Sequence, residues 1–279
     1  MWGFFVLNYN LWFQLYLYIF VLFNKKIDMK KFVIIVFVFA TYFAQAQSDV
    51  NKVDVKSGAG KKGVEVFLLA NVGGGVLTGT EKVNGQAEKD LVNSLRKGLV
   101  FDVGLYFKLN NGNAIGLKFN RFASNGNFAV NSTNNSGDNV TVYGDVSIGI
   151  NFYSASYLLN FNKTKSPHDF ILDLSAGYLS YDNNVIYSAT INGQKATLPN
   201  DYTYGFIQGN TFGFLAGFAY KYRASDKFSF GPNISFMTGV ISKVDQKLPE
   251  SPLETVYLSN DDAVSLSRFD FSVGATYKF

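Results

Sequence analysis

Few residues of this chain are equipped for chemistry. There is no cysteine, which excludes a disulfide framework, a thiolate metal site and a cysteine nucleophile. There is one histidine, His168, so a multi-histidine metal site is excluded too. It follows Lys163-Thr164-Lys165-Ser166-Pro167 in a polar turn. A Ser-His-Asp arrangement needs its base within hydrogen-bond reach of the nucleophile, and a solvated turn histidine is the plainer reading. Asp261-Asp262 lies in an acidic stretch with Asp245, Glu250 and Glu254 against Lys247. Clustered oxygens suit Ca²⁺, but neither EF-hand spacing nor a second cluster accompanies them, so an acidic solvated loop is expected. The run NSTNNSGD at 131–138 reads as polar loop, and Gly73-Gly74-Gly75 is no phosphate cradle because no helix is expected after it. No cofactor or metal is expected.

Nine other charged residues share a different property. Asp102, Lys108, Lys118, Asp173, Lys221, Arg223, Arg268, Asp270 and Lys278 alternate with apolar neighbours. The last of these stretches, 268–279, is the clearest. Its odd positions are Phe269, Phe271, Val273, Ala275, Tyr277 and Phe279, and its even positions are Arg268, Asp270, Ser272, Gly274, Thr276 and Lys278. Strict period-two alternation is a strand with one apolar and one polar or small face, and this length crosses a bilayer at a tilt. The same pattern runs through 99–109, 115–120, 170–178, 212–223 and 228–236, and less cleanly through 64–72, where Phe67 and Leu69 share a face with Glu65. The run 140–161 is too long for one regular strand. Val146, Ile148, Ile150 and Phe152 keep one phase and Ala155, Tyr157, Leu159 and Phe161 the other, so a β-bulge is expected near Tyr153 and Ser154.

Eight strands result, and their links alternate in length. Short links are expected at Asn110-Asn111-Gly112, at 162–169 and at Ala224-Ser225-Asp226, with long ones at 78–96, 125–137, 188–209 and 243–264. No run shows helical periodicity. Short turns at one end and long loops at the other are the outer-membrane arrangement. Backbone groups in hydrocarbon must all be bonded within the protein, which forces the sheet to close. The fold expected is therefore all-β, a closed antiparallel eight-stranded transmembrane barrel with short periplasmic turns and long extracellular loops. A soluble lipocalin-like barrel is the structural rival, with its phenylalanines turned inward.

Composition and targeting agree with export. The chain holds 28 Phe, 17 Tyr and 26 Gly with only 16% charged residues, a mixture suited to strands with one face in lipid. Met29-Lys30-Lys31, the apolar run FVIIVFVFATYF and Ala44-Gln45-Ala46 form a signal peptide at 29–46, with Gln47 as the expected mature N-terminus. Residues 1–28 read either as a transmembrane helix or as a non-native upstream extension from an unused start codon; the complete signal at an internal Met favours the second. Residues 47–62 read as a periplasmic lead-in and 63–279 as the barrel. Without 1–46 the chain keeps 21 basic and 20 acidic residues, a balance that argues against a nucleic-acid partner.

On the signal peptide, the link pattern and the terminal run 269–279, the chain resembles small eight-stranded outer-membrane barrels of the OmpA transmembrane-domain and OmpX type, and the outer-membrane β-barrel proteins of Bacteroidetes. The resemblance implies that Phe271, Val273, Tyr277 and Phe279 form the signal read by the barrel-assembly machinery. It implies localisation in the outer membrane of a Gram-negative cell, with outer-membrane lipid as a partner. It implies no single activity, and no peptidoglycan-binding domain is expected after Phe279. The leading expectation is a non-enzymatic barrel presenting surface loops for adhesion, envelope integrity or an extracellular partner. A narrow porin-like channel for ions or small solutes is the alternative, and an envelope lipid-modifying enzyme is a third, which would need its catalytic histidine near the outer leaflet. The nine alternating charges read either as an ion path or as a salt-bridged polar filling of a narrow lumen; buried charges must be paired, which favours the filling.

Overall fold

Alternation becomes strand wherever one face can be shielded, and eight segments do this. They are β1 (Val66–Leu77), β2 (Lys97–Lys108), β3 (Ala114–Thr133), β4 (Asn139–Asn160), β5 (His168–Ile191), β6 (Tyr204–Arg223), β7 (Phe228–Thr238) and β8 (Arg268–Lys278). The computed structural model describes residues 65–79, 86–109, 112–134, 136–161, 166–199, 202–249, 251–259 and 263–279. The upstream extension, the signal peptide, the lead-in, Glu250 and Asp261-Asp262 lie outside the described residues. Among the described residues no helix is long and apolar enough to cross a membrane.

The eight strands form an antiparallel ring. Each is hydrogen-bonded to its two chain neighbours, and β8 returns to β1 with Phe67 opposite Lys278 and Leu77 opposite Arg268. A ring satisfies backbone groups that an open sheet would expose. The ladder between β6 and β7 has one gap. Pairing runs from Phe214–Thr238 to Ala219–Asn233 and resumes only at Tyr222–Phe230. Pro232 stands in that gap and has no N–H to give.

The bulky residues of the band face out. Phe271 and Val273 on β8, Phe212 and Phe214 on β6, and Leu99 on β2 are all more than half exposed, while Arg268, Asp270, Lys221, Lys118 and Asp102 point in and are buried. This inverted polarity is that of a membrane barrel, not of a lipocalin. β1 is the exception: Phe67 and Leu69 point inward, in phase with Asn71.

The walls are unequal. β1, β2, β7 and β8 have 11 or 12 residues, whereas β3 to β6 have 20 to 24. About ten residues suffice to cross hydrocarbon, so the longer strands rise roughly 30 Å above it at ~3.3 Å per residue. The upper end of β6 carries the sheet on through Lys243–Lys247 and Glu254–Tyr257. Val240–Ile241 pairs with Val264–Ser265, and Gln194–Ala196 folds back on β5.

Three expectations are corrected. The bulge near Tyr153 is absent, because β4 keeps one unbroken register with β3 and with β5. Even-numbered residues from Gly144 to Leu158 all point inward. What changes is the interior itself, apolar around Val146, Ile148, Ile150 and Phe152 and polar at Ser154 and Ser156. Second, much of the supposed loops at 125–137 and 188–209 is strand. These ribbons meet water outside, so they read as polar although their inner face is apolar. Third, the link 78–96 contains a helix, α1 (Gln86–Leu95). Its Leu91 and Leu95 recur at helical spacing and pack on the upper core.

Candidate functional site

The interior is layered along the barrel axis. Nearest the short turns, Phe67 stacks on Tyr106 with ring centroids 5.3 Å apart, and Leu69, Ala114, Leu158 and Ile171 complete an apolar layer. The strands bring these together because each lies at the turn end of its own ribbon.

Above this layer lies a polar one. Lys118 on β3 places its Nζ 2.7 Å from Asp102 Oδ2 on β2 and 2.7 Å from Asp173 Oδ2 on β5. Asn71 on β1 donates to Asp102 Oδ1 at 3.2 Å and accepts from Lys221 Nζ at 3.2 Å. Ser156 and Ser175 both donate to Asp173 Oδ1 at 2.7 Å, and Tyr106 donates to Ser156. On the other side, Arg268 Nε donates to both oxygens of Asp270, at 2.9 and 3.1 Å. The same guanidinium donates to Asn120 Oδ1 and lies over the Phe122 ring at 5.2 Å. Three cations face three carboxylates, so the formal charges of the layer cancel.

The third layer is apolar and extends up inside the tall wall. Phe122, Ile150, Phe152, Leu179, Leu215 and Met237 are almost fully enclosed there. Leu91 and Leu95 of α1 close it from above.

Six of the nine alternating charges thus meet in the middle layer: Asp102, Lys118, Asp173, Lys221, Arg268 and Asp270. The other three are placed at the turn-side rim. Lys108 Nζ is 2.7 Å and Lys278 Nζ 3.4 Å from the Glu65 carboxylate, and Arg223 Nη2 contacts both oxygens of Asp169 at 3.0 Å. Burial pushes the Glu65 carboxyl up, but the hydrogen bond and charge of Lys108, with Lys278, outweigh it and hold the group below its usual range. Sequence reading missed Asn71, Asn120, Tyr106, Ser156 and Ser175. Their signal was present, since each shares its strand's inward phase, but neutral polar residues do not stand out in an alternation.

The terminal residues Phe271, Val273, Tyr277 and Phe279 all face outward and are exposed. His168 sits on the outside of the turn-side rim, where Nδ1 is 2.7 Å from the Tyr220 hydroxyl and the ring lies against Tyr220 and Tyr222. At the opposite end, Asp138 clasps two strand tips. It accepts from Asn192 at 2.9 Å and from Asn134 at 3.1 Å, and these amides hold its carboxyl below the usual range. Among the described residues no group of three His, Asp or Glu side chains could hold a metal ion.

The outer face changes character in one step. One cross-strand row holds Phe119, Tyr153, Tyr178 and Phe212, and the next row up holds Arg121, Asn151, Ser180 and Asn210. The apolar band ends between them.

No protein-family model matches the chain, and no curated protein matches it. Several solved structures are similar to it. A major outer membrane protein from Thermus thermophilus has a TM-score of 0.46 at 9% identity, covering 77% of this chain and 99% of that one. Neisserial surface protein A has a TM-score of 0.38 at 13% identity, covering 78% and 100%. The outer membrane protease OmpT from Escherichia coli has a TM-score of 0.37 at 8% identity, covering 80% and 99%. At such identities and TM-scores these likenesses carry no functional argument.

Proposed function

We propose that this chain is an integral outer-membrane barrel that performs no chemistry of its own and holds a rigid β-wall above the membrane for contact with an extracellular partner. The filled interior is the observation that supports this reading. An ion path needs a continuous wet route, whereas here a charge-balanced layer is bounded above and below by apolar ones. An eight-stranded barrel is only wide enough for its own side chains, and this one uses them to seal itself.

In this reading the short turns face the periplasm and the tall wall faces outward. The exterior band meets outer-membrane lipid, and Phe271, Val273, Tyr277 and Phe279 are available to the barrel-assembly machinery. The partner surface lies on the wall, where Ile186, Leu253 and Tyr257 are more than half exposed.

The test combines three measurements. Purified protein in a planar bilayer should show no stepwise openings, and openings would overturn the sealed interior. Protease shaving of intact cells should cut at the tip near Asn134 and spare the turn before His168; the reverse pattern would overturn the orientation. Expression should leave the mass spectrum of lipid A unchanged, and a new mass would overturn the non-enzymatic reading.

A further inference from the structure

The lipid-facing side of the tall wall is not smooth. A groove of about 400 Å³ opens in it across β3 to β7. Its floor is set by three alanines, Ala155, Ala176 and Ala216, and its sides by larger residues that include Tyr157, Phe214 and Phe236. The floor follows from register: Ala155 pairs with Ala176, and Ala216 pairs with Leu174 on one side and Phe236 on the other. Nearly all of its surface is carbon, so its occupant is apolar where it lies there.

A second observation stands above the groove on the same face. Arg121 is the one cation in the row Arg121, Asn151, Ser180, Asn210. Its Nη1 donates to Asn151 Oδ1 at 3.2 Å, and Asn151 in turn donates to Ser180 Oγ at 3.3 Å, which fixes the plane of the guanidinium. Nη2 lies over Gly149, 3.9 Å from where a side chain would begin. Among the described residues Arg121 stands in none of the ion pairs. Asp182, opposite Gly149 on the same face, lies one row farther from the groove, so the guanidinium meets an anion from the groove side. From Ala155 to Asn151 is four residues along β4, roughly 13 Å at ~3.3 Å per residue. That fits within one bilayer leaflet of about 15 Å.

We infer that this face holds one membrane lipid, with an acyl chain in the Ala155–Ala176–Ala216 groove and a phosphate headgroup on Arg121. Guanidinium and phosphate pair through charge-assisted hydrogen bonds, and the tyrosine row between them, Tyr153 and Tyr178, suits the interface where chain meets headgroup. The inference rests on the membrane-barrel reading above.

Native mass spectrometry of the folded protein released from detergent tests it, with dioleoyl phosphatidic acid as probe and dioleoylglycerol, its phosphate-free counterpart, as control. Insertion into liposomes is checked first for every variant. Wild type should retain one phosphatidic acid per chain at roughly tenfold higher occupancy than the neutral lipid, the worth of one hydrogen bond to a charged group. Arg121→Gln should abolish that preference and leave the neutral lipid unchanged. Ala176→Phe should lower retention of both lipids, and inorganic phosphate should displace neither. Equal retention of the two lipids by wild type, or unchanged retention of phosphatidic acid in either variant, overturns the inference. Displacement by inorganic phosphate, with Ala176→Phe behaving as wild type, reassigns Arg121 to a free anion and also overturns it. Wild type that does not insert removes the barrel reading and this inference together; insertion without lipid preference removes only this one.

Discussion

Lys118 is the residue on which the interior converges. It is 2% exposed and bridges carboxylates from two different strands. A buried cation of this kind matters most when it is removed, because its partners stay behind uncompensated. Lys118→Met should therefore destabilise the barrel by about 3–5 kcal/mol, read as a lower urea midpoint in micelles. Adding Asp173→Asn to it should recover most of that loss, since two buried cations, Lys221 and Arg268, then again face two carboxylates, Asp102 and Asp270. Glu65 offers the opposite case, a half-exposed clamp at the rim between Lys108 and Lys278. Its folded pKa lies below the unfolded value, so its contribution is present above the usual glutamate range and is lost as pH falls through the folded pKa. Screening keeps the effect below about 1 kcal/mol. The urea midpoints of wild type and Glu65→Gln should differ at neutral pH and converge in acid; a gap that persists in acid would count against the clamp.

At the scale of elements, α1 is the piece that sequence reading lost. It has only ten residues, and its neighbours in the chain are polar, so its apolar stripe is too short to announce a helix. Its seat is prepared by Gly126 on β3, where a side chain would collide with Ser94 and press on Leu91 and Leu95. Gly126→Val should lift the helix without opening the ring. Hydrogen exchange of 86–95 should accelerate by roughly tenfold or more, the equivalent of about 1.4 kcal/mol, with exchange in β8 unchanged. The band strands were legible because lipid outside and charge inside impose period two on every residue. The upper halves of β3 to β6 were not, because there the outside is water and the inside is oil, and the alternation reverses its sign along a single strand. β4 carries that reversal between Phe152 and Ser154, where it imitates a slip of one residue. In the middle layer, only the charged members could be read from the alternation, and the three placed at the rim could not be separated from them without knowing where each strand ends.

For the whole molecule, exterior and interior argue for the same environment. Rings such as Phe212, Phe214 and Phe271 point away from the centre, which a soluble barrel could not tolerate. In the proposed reading the interior is closed by three layers in series, so no single substitution should open it. Lys118→Met disturbs only the middle one and should stay silent in a planar bilayer even though it is less stable. The fold thus sets a low wall, matched to membrane thickness, beside a high wall that extends past it.

That difference in height has a mechanical side. Any force applied to the high wall acts away from the barrel axis and produces a torque, not a straight lift. The load crosses to the low wall at two seams, β2 with β3 and β6 with β7. The first is an unbroken ladder and the second is interrupted beside Pro232, so under tension the ring should part first between β6 and β7.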